Sequence, residues 1–294
     1  MDENRISLLT RRQALGAIAS LAAGACIRPV PVFGASPVNN KLRFAVMGDW
    51  GTGDGACAGI ADQMTKAHAA SAFDFVIAAG DNIYPNGNGK HLVKKFEQPF
   101  SAFLKDKVNF YAVLGNHDVQ EGRQDQCQYP LFNMGGHCYY TVKKGDGLAE
   151  FFMLDSTDFT TNQAGWLEGA LRDSTAKWKI AVFHHPIYSS AGTHGSSTGL
   201  RKAIEPLLTR YGVQAVFSGH DHTYERIKPQ QGIQYFVTGA AGKVRRGDID
   251  PKSPFREVSF DEDNHYMQVE IDDRQINFQA IARSGKVIDS GTVK

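Results

Sequence analysis

Neither sign of charge dominates this 294-residue sequence. Lysines and arginines number 32 against 31 aspartates and glutamates, so no basic face is implied. Nucleic acid and anionic membrane surfaces are therefore not expected partners. Apart from a weak candidate near the start, no apolar run reaches membrane-spanning length, which argues against stable membrane insertion. Internal repeats and low-complexity tracts are missing, which argues against a solenoid or a disordered array. Cysteines number only 4, and none falls among the candidate metal ligands given below, which argues against a structural zinc site. What is present is 42% hydrophobic residues, enough for a sizeable core. The length suits one large domain or two small ones.

The start of the chain has the layout of a cleavable leader. Arg11 and Arg12 precede a moderately apolar stretch from Ala14 to Ile27. Two adjacent arginines in that frame resemble a twin-arginine signal, which implies a secreted or periplasmic protein. The alternative is a first helix with a basic cap. Ala23-Gly24-Ala25 and Val32-Phe33-Gly34 are both tolerable cleavage sites, and Cys26 leaves with the leader. The expected organisation is an export signal over 1–35, a short linker over 36–40 and one folded domain over 41–294.

Within that domain, apolar runs alternate with helical stretches. Strands are expected at 42–47, 73–79, 109–114, 148–154, 178–183 and 213–217. Helices are expected near 58–69, 93–105, 163–171 and 199–211, and the tail alternates at 265–271 and 275–281. Strands alternating with helices predict an α/β core, and the β-rich tail predicts a second sheet.

The informative feature is where the polar residues fall. Five apolar runs end in candidate metal ligands: Gly48-Asp49-Trp50-Gly51, Gly80-Asp81-Asn82-Ile83-Tyr84, Gly115-Asn116-His117-Asp118, His184-His185-Pro186 and Gly219-His220-Asp221-His222. Sites in open α/β sheets form beyond the carboxyl ends of the strands, so five such endings predict one shared rim. Each block alone is weak, since Gly-Asp is a common turn. Gly-His-x-His says more, because two imidazoles on one loop make a natural metal pair.

Together the blocks resemble the five-block pattern of the metallophosphoesterases, over about Phe44 to His222, and most of all the small, tartrate-resistant type of purple acid phosphatase. The resemblance implies two mixed β-sheets packed face to face and flanked by helices. It implies hydrolysis of phosphate monoesters by a metal-bound hydroxide at a binuclear centre, with small phosphorylated substrates. Metal one, Fe(III), would take Asp49, Tyr84 and His222. Metal two, Fe(II), Zn or Mn, would take Asn116, His184 and His220, with Asp81 bridging. Related cyclic-nucleotide phosphodiesterases carry Asp-x-His in the first block. Here Gly51 stands in the third place, and Tyr84 fills the vacancy with a hard phenolate oxygen. The second block also lacks the arginine of the serine/threonine protein phosphatases of the superfamily.

The fourth block admits two registers. The family's Val-x-x-His selects His185, whereas the spacing to Pro186 selects His184, which is preferred here. His117 and His194 are implied as groups that bind phosphate oxygens or protonate the leaving alkoxide. Asp118 is expected to orient His117. Glu225 has no assigned role, and His137, His185 and His265 are read as loop or packing residues. Cys127 and Cys138 bracket a short loop that a disulfide would close in an oxidising compartment, leaving Cys57 buried as the odd cysteine. The segment Glu121–His137 should overhang the metals. It is polar and has no apolar stripe for lipid, which points to small esters. Two rival functions stand beside this one: a phosphodiesterase or nucleotidase of the same superfamily, and a secreted metal- or phosphate-binding protein without catalysis. The sequence leaves the oligomeric state open.

Overall fold

The computed structural model describes residues 41–294, so the export signal and linker expected over 1–40 lie outside the described residues. The strands are β1 Leu42–Met47, β2 Phe75–Ala78, β3 Asn109–Ala112, β4 Tyr140–Lys144, β5 Ala149–Met153, β6 Trp178–Val182 and β7 Ala215–Ser218, followed by β8 Tyr224–Ile227, β9 Gln234–Thr238, β10 Arg256–Phe260, β11 His265–Ile271, β12 Ile276–Ala282 and β13 Val287–Val293. The helices are α1 Gly55–Ala70, α2 Ser101–Lys105, α3 Asp118–Glu121, α4 Arg123–Gln128, α5 Thr161–Asp173 and α6 Thr198–Arg210.

These strands form two mixed sheets. One is six-stranded in the order β13-β12-β11-β1-β2-β3, the other seven-stranded in the order β10-β8-β9-β7-β6-β5-β4. Within each sheet the strands that carry the five blocks are parallel to one another: β1, β2 and β3 in the first, β6 and β7 in the second. Their carboxyl ends therefore point the same way.

Alternation along β1 shows how the layers are made. Phe44 and Val46 face the core between the sheets, whereas Ala45 and Met47 face an outer core with α1. A strand buried on both faces reads as a near-continuous apolar run, and LRFAVM is broken only by the half-buried Arg43 near its start. Across the inter-sheet core, Phe151 of the second sheet meets Phe44 and Phe75 of the first edge-on, at 5.3 and 5.4 Å. A third cluster packs α5 and α6 on the outer face of the second sheet. The result is the expected helix–sheet–sheet–helix order.

Two expectations need correction. The single helix expected over 93–105 is a π turn at Val93–Glu97 followed by the short α2. Pro99 has no amide hydrogen to continue the ladder between them. The β-rich tail does not build a sheet of its own. β11 pairs antiparallel with β1, and β12 and β13 extend the first sheet from there. β1 is buried on both faces and needs a ladder partner on each edge, and β2 supplies only one.

Cys127 and Cys138 are joined by a disulfide, with their Cα atoms 5.6 Å apart, and Cys57 is free and buried. The bridge closes the chain between α4 and β4. Closing a loop of that size restricts the unfolded chain by about 3 kcal/mol. Replacing both cysteines with serine should lower the urea-unfolding stability by about that amount, with the far-ultraviolet circular dichroism unchanged. An unchanged midpoint would show that the bridge does not form.

Candidate metal centre

Three of the five blocks leave their strands through a sharp turn. Asp49, Asp81 and His220 all sit in the left-handed region, with φ of 55°, 50° and 70°. Non-glycine residues rarely adopt this conformation and persist there only where the surroundings hold them. The glycines beside them make room. At Gly80, φ is +88° and a Cβ would come within 2.5 Å of the His184 ring. At Gly51, a Cβ would stand 1.7 Å from the carbonyl oxygen of Asn82. There the backbones of the first two blocks are hydrogen-bonded directly: Tyr84 N donates to Gly51 O at 3.0 Å, and Gly51 N to Asp81 O at 3.3 Å.

These turns bring two sets of donor atoms together. In the first, the Tyr84 hydroxyl lies 3.1 Å from Asp49 Oδ1, 2.9 Å from Asp81 Oδ2 and 3.3 Å from His222 Nε2. His222 Nε2 is 3.4 Å from Asp49 Oδ1. In the second, His184 Nε2 lies 3.2 Å from Asn116 Oδ1 and 3.4 Å from Asp81 Oδ1. Asp81 thus turns one oxygen to each set. The His220 ring adjoins the second set, 5.1 Å from that of His184, and its backbone N–H donates to Asp49 Oδ2 at 2.7 Å. Asp49, Asp81 and His184 form a buried group able to hold a metal ion, with exposures of 0%, 1% and 0%.

The chemistry of these donors fits cations. Among the described residues, Asp49 and Asp81 form ion pairs with histidines only, never with lysine or arginine. Burial raises the Asp49 carboxyl well above its usual range. His184 opposes that shift and neighbouring Asp81 adds to it. Tyr84 is pushed far up by burial and by the two carboxylates, so its phenol would ionise here only with a metal ion taking the proton's place on the oxygen and the proton leaving to solvent. His222 falls to about 4 through burial, Arg245 and Lys243. His220 is also lowered, by burial and by the surrounding histidines. Both rings are therefore neutral near pH 7, the state in which imidazole ligates. Burial works against a charged His184, but Asp81 and Asp49 outweigh it and raise its proton affinity. Its Nδ1 lies 2.9 Å from Ala79 O, which fixes the ring and turns Nε2 to the site. Ligand atoms about 2.0–2.2 Å from one ion stand roughly 3 Å apart, which is the spacing seen in both sets.

His117 and His194 also reach this rim. His117 Nδ1 donates to Pro85 O at 2.5 Å, its ring lies 4.6 Å from that of Tyr84, and Nε2 is 4.0 Å from Asp81 Oδ2. His194 lies over His220 at 4.3 Å between ring centres. His185 is a packing residue at this rim. Its ring packs 4.5 Å from that of His220, and its Nδ1 pairs with Ser156 Oγ at 3.0 Å rather than with either donor set.

Asp118 does not orient His117. Its buried carboxylate accepts from the backbone N–H groups of Asn82, Ile83 and Gly115 and from the side chains of Asn82 and Gln126, at 2.9–3.2 Å. It ties the second block to the third and is pushed up to about 6 by burial and by Asp81. Glu225, which had no role, accepts from Ser189 Oγ and Ser190 N at the base of the loop that carries His194. Asp221 holds the same loop through Gly195 N. Lys243 was also missed; its ammonium stands 3.7 Å from the centre of the Tyr84 ring. Asp118 and Asp221 lie inside the blocks and Glu225 just past them, but nothing local in the sequence marks Lys243.

Residues 42–224 match the family profile of the calcineurin-like phosphoesterases. Purple acid phosphatase 17 of Arabidopsis thaliana is 32% identical over 244 residues, 72% of this chain and 72% of that protein. Tartrate-resistant acid phosphatase type 5 of Homo sapiens is 27% identical over 89% of this chain and 93% of its own length. Among solved structures, the purple acid phosphatase from yellow lupin (Lupinus luteus) seeds superposes with a TM-score of 0.73 at 18% identity, covering 86% of this chain and 54% of that one. GAP50, the anchor in the inner membrane complex of Plasmodium, superposes with 0.76 at 22%, covering 86% and 89%. The chain belongs to the calcineurin-like phosphoesterase family and, within it, to the purple acid phosphatases.

Proposed function

We propose that this protein is an acid phosphatase that hydrolyses small phosphate monoesters with two metal ions, one in each donor set. The observation that carries this reading is Asp81, whose two oxygens face separate sets at 2.9 and 3.4 Å. Asp49, Tyr84 and His222 would hold Fe(III); the set includes a phenol oxygen and a carboxylate, hard donors suited to it. Asn116, His184 and His220 would hold Fe(II), Zn or Mn. Bound there, the ions would supply Lewis acidity toward a phosphate oxygen and toward water.

The chain's own groups do the rest. His117 keeps Nδ1–H on Pro85 O, which leaves Nε2 facing the site to pass a proton to the leaving oxygen. His194, lowered in proton affinity by burial, Arg245 and His222, offers a neutral N–H to the phosphate. The 189–195 loop is held for that task by Glu225 and Asp221. The intact donor sets speak against a binding protein without catalysis. Export is supported by the Arg11-Arg12 pair and the apolar run that follows, with 1–35 as the signal and 36–40 as the linker. No described helix is long and apolar enough to cross a membrane.

His184→Ala should leave about one metal ion per chain and lower kcat on 4-nitrophenyl phosphate roughly 100-fold or more. His185→Ala should keep two ions and most of the activity. Elemental analysis beside the assay checks both, and a dead His185 variant with an active His184 variant would reverse the register.

A phenolate on ferric iron absorbs visible light. Oxidised, iron-loaded protein should therefore be purple, and Tyr84→Phe should bleach it without unfolding it. A colourless wild type holding stoichiometric ferric iron would place Tyr84 outside the coordination sphere.

A further inference from the structure

A cavity of about 730 Å³ lies among Arg123, Tyr139, Tyr140, Asp155, Asp158 and Trp166, and the chemistry above leaves it unused. Its volume is that of a small-molecule site. It shares a wall with the metal centre. β5 runs parallel to β6, and Leu154 N donates to Val182 O at 2.8 Å. Asp155 is therefore lateral to His184, one strand spacing of about 5 Å away. The next residue, Ser156, accepts from His185 N at 3.0 Å. The opposite wall is the segment that follows the third block. The cavity thus lies one strand over from His184, at the carboxyl ends of the same parallel strands.

The lining selects what fits there. Tyr139 and Trp166 lie 5.0 Å apart between ring centres, tilted by 56°. Both are half-buried, which leaves aromatic surface open to the cavity. The guanidinium of Arg123 is taken up by the buried Asp155 and by Thr157 Oγ1, so it offers no unpaired charge to a second phosphate. Asp158 adds an exposed acceptor. Aromatic surface, fixed polar edges and no spare cation suit an uncharged planar heterocycle.

We propose that this cavity binds the base of a nucleoside monophosphate whose phosphate occupies the metal centre. The proposal rests on the phosphatase reading and names a substrate class for it. Stacking of a base on an aromatic side chain contributes about tenfold or more to affinity.

The test uses the metal-loaded full chain with adenosine 5′-monophosphate and glycerol 2-phosphate as substrates and adenosine as a phosphate-free probe. The wild type should bind adenosine by calorimetry and prefer the nucleotide in kcat/KM. Trp166→Leu, which keeps apolar bulk against the core, should raise KM for the nucleotide and weaken adenosine about tenfold. Its constants for glycerol 2-phosphate and its inhibition by inorganic phosphate should not move. Tyr139→Leu should act in the same direction and serves if the Trp166 variant does not fold. Lack of adenosine binding, or equal losses on both esters, would overturn the proposal. A wild type that binds adenosine in a Trp166-dependent way but hydrolyses neither ester would support the cavity assignment and defeat the phosphatase reading instead.

Discussion

Two carboxylates, Asp49 and Asp81, are buried against each other at the meeting point of two sheets, with no lysine or arginine to neutralise them. Each buried charge costs several kcal/mol unless it is matched. The surrounding structure follows from that constraint. The rings of His220 and His222 are kept neutral by burial, helped by the surrounding histidines at His220 and by Arg245 and Lys243 at His222, so they are ready as lone-pair donors. The left-handed turns and the absent Cβ atoms at Gly51 and Gly80 let five strand ends crowd together. A site designed for stability alone would have used apolar residues here; this one suits positive ions.

Precision at the site comes from groups that never face the ions. Asp118, Asn82 and Gln126 form a buried, mutually bonded cluster that staples the second block to the third. Asn82 also accepts from Trp50 Nε1, at 3.1 Å, which adds the first block. On the other side, Glu225 and Asp221 hold the His194 loop, and Asp248 accepts from Gly192 N through its carbonyl and from Thr193 Oγ1 through its carboxylate. Hydrogen-bonded supports of this kind set donor geometry to within tenths of an ångström.

Much of this was legible in the sequence because the blocks are short and local. Each strand that carries a block is an apolar run, and each ends in its ligand candidates within a few residues, so both the α/β core and the gathering of the seven candidate donors on one rim could be read along the chain. The parts that were missed depend on distant partners. Only the pairing of β11 with β1, more than two hundred residues apart in sequence, shows that the tail extends the first sheet. Asp118 sits beside His117 in sequence, yet its carboxylate turns to the second block. Lys243 reaches Tyr84 from a loop with no motif of its own. The break at Pro99 had a local signal, and the apolar periodicity around it masked that signal.

The closed contact at Gly51 bears on descent. A side chain at position 51 would have to pass through the carbonyl of Asn82, and the same two backbones are joined by hydrogen bonds on either side of that point. The histidine that phosphodiesterase relatives place there cannot be introduced by one substitution in this backbone. Room for an imidazole at position 51 requires the first and second turns to separate together. A single backbone approach thus decides which kind of side chain position 51 can carry.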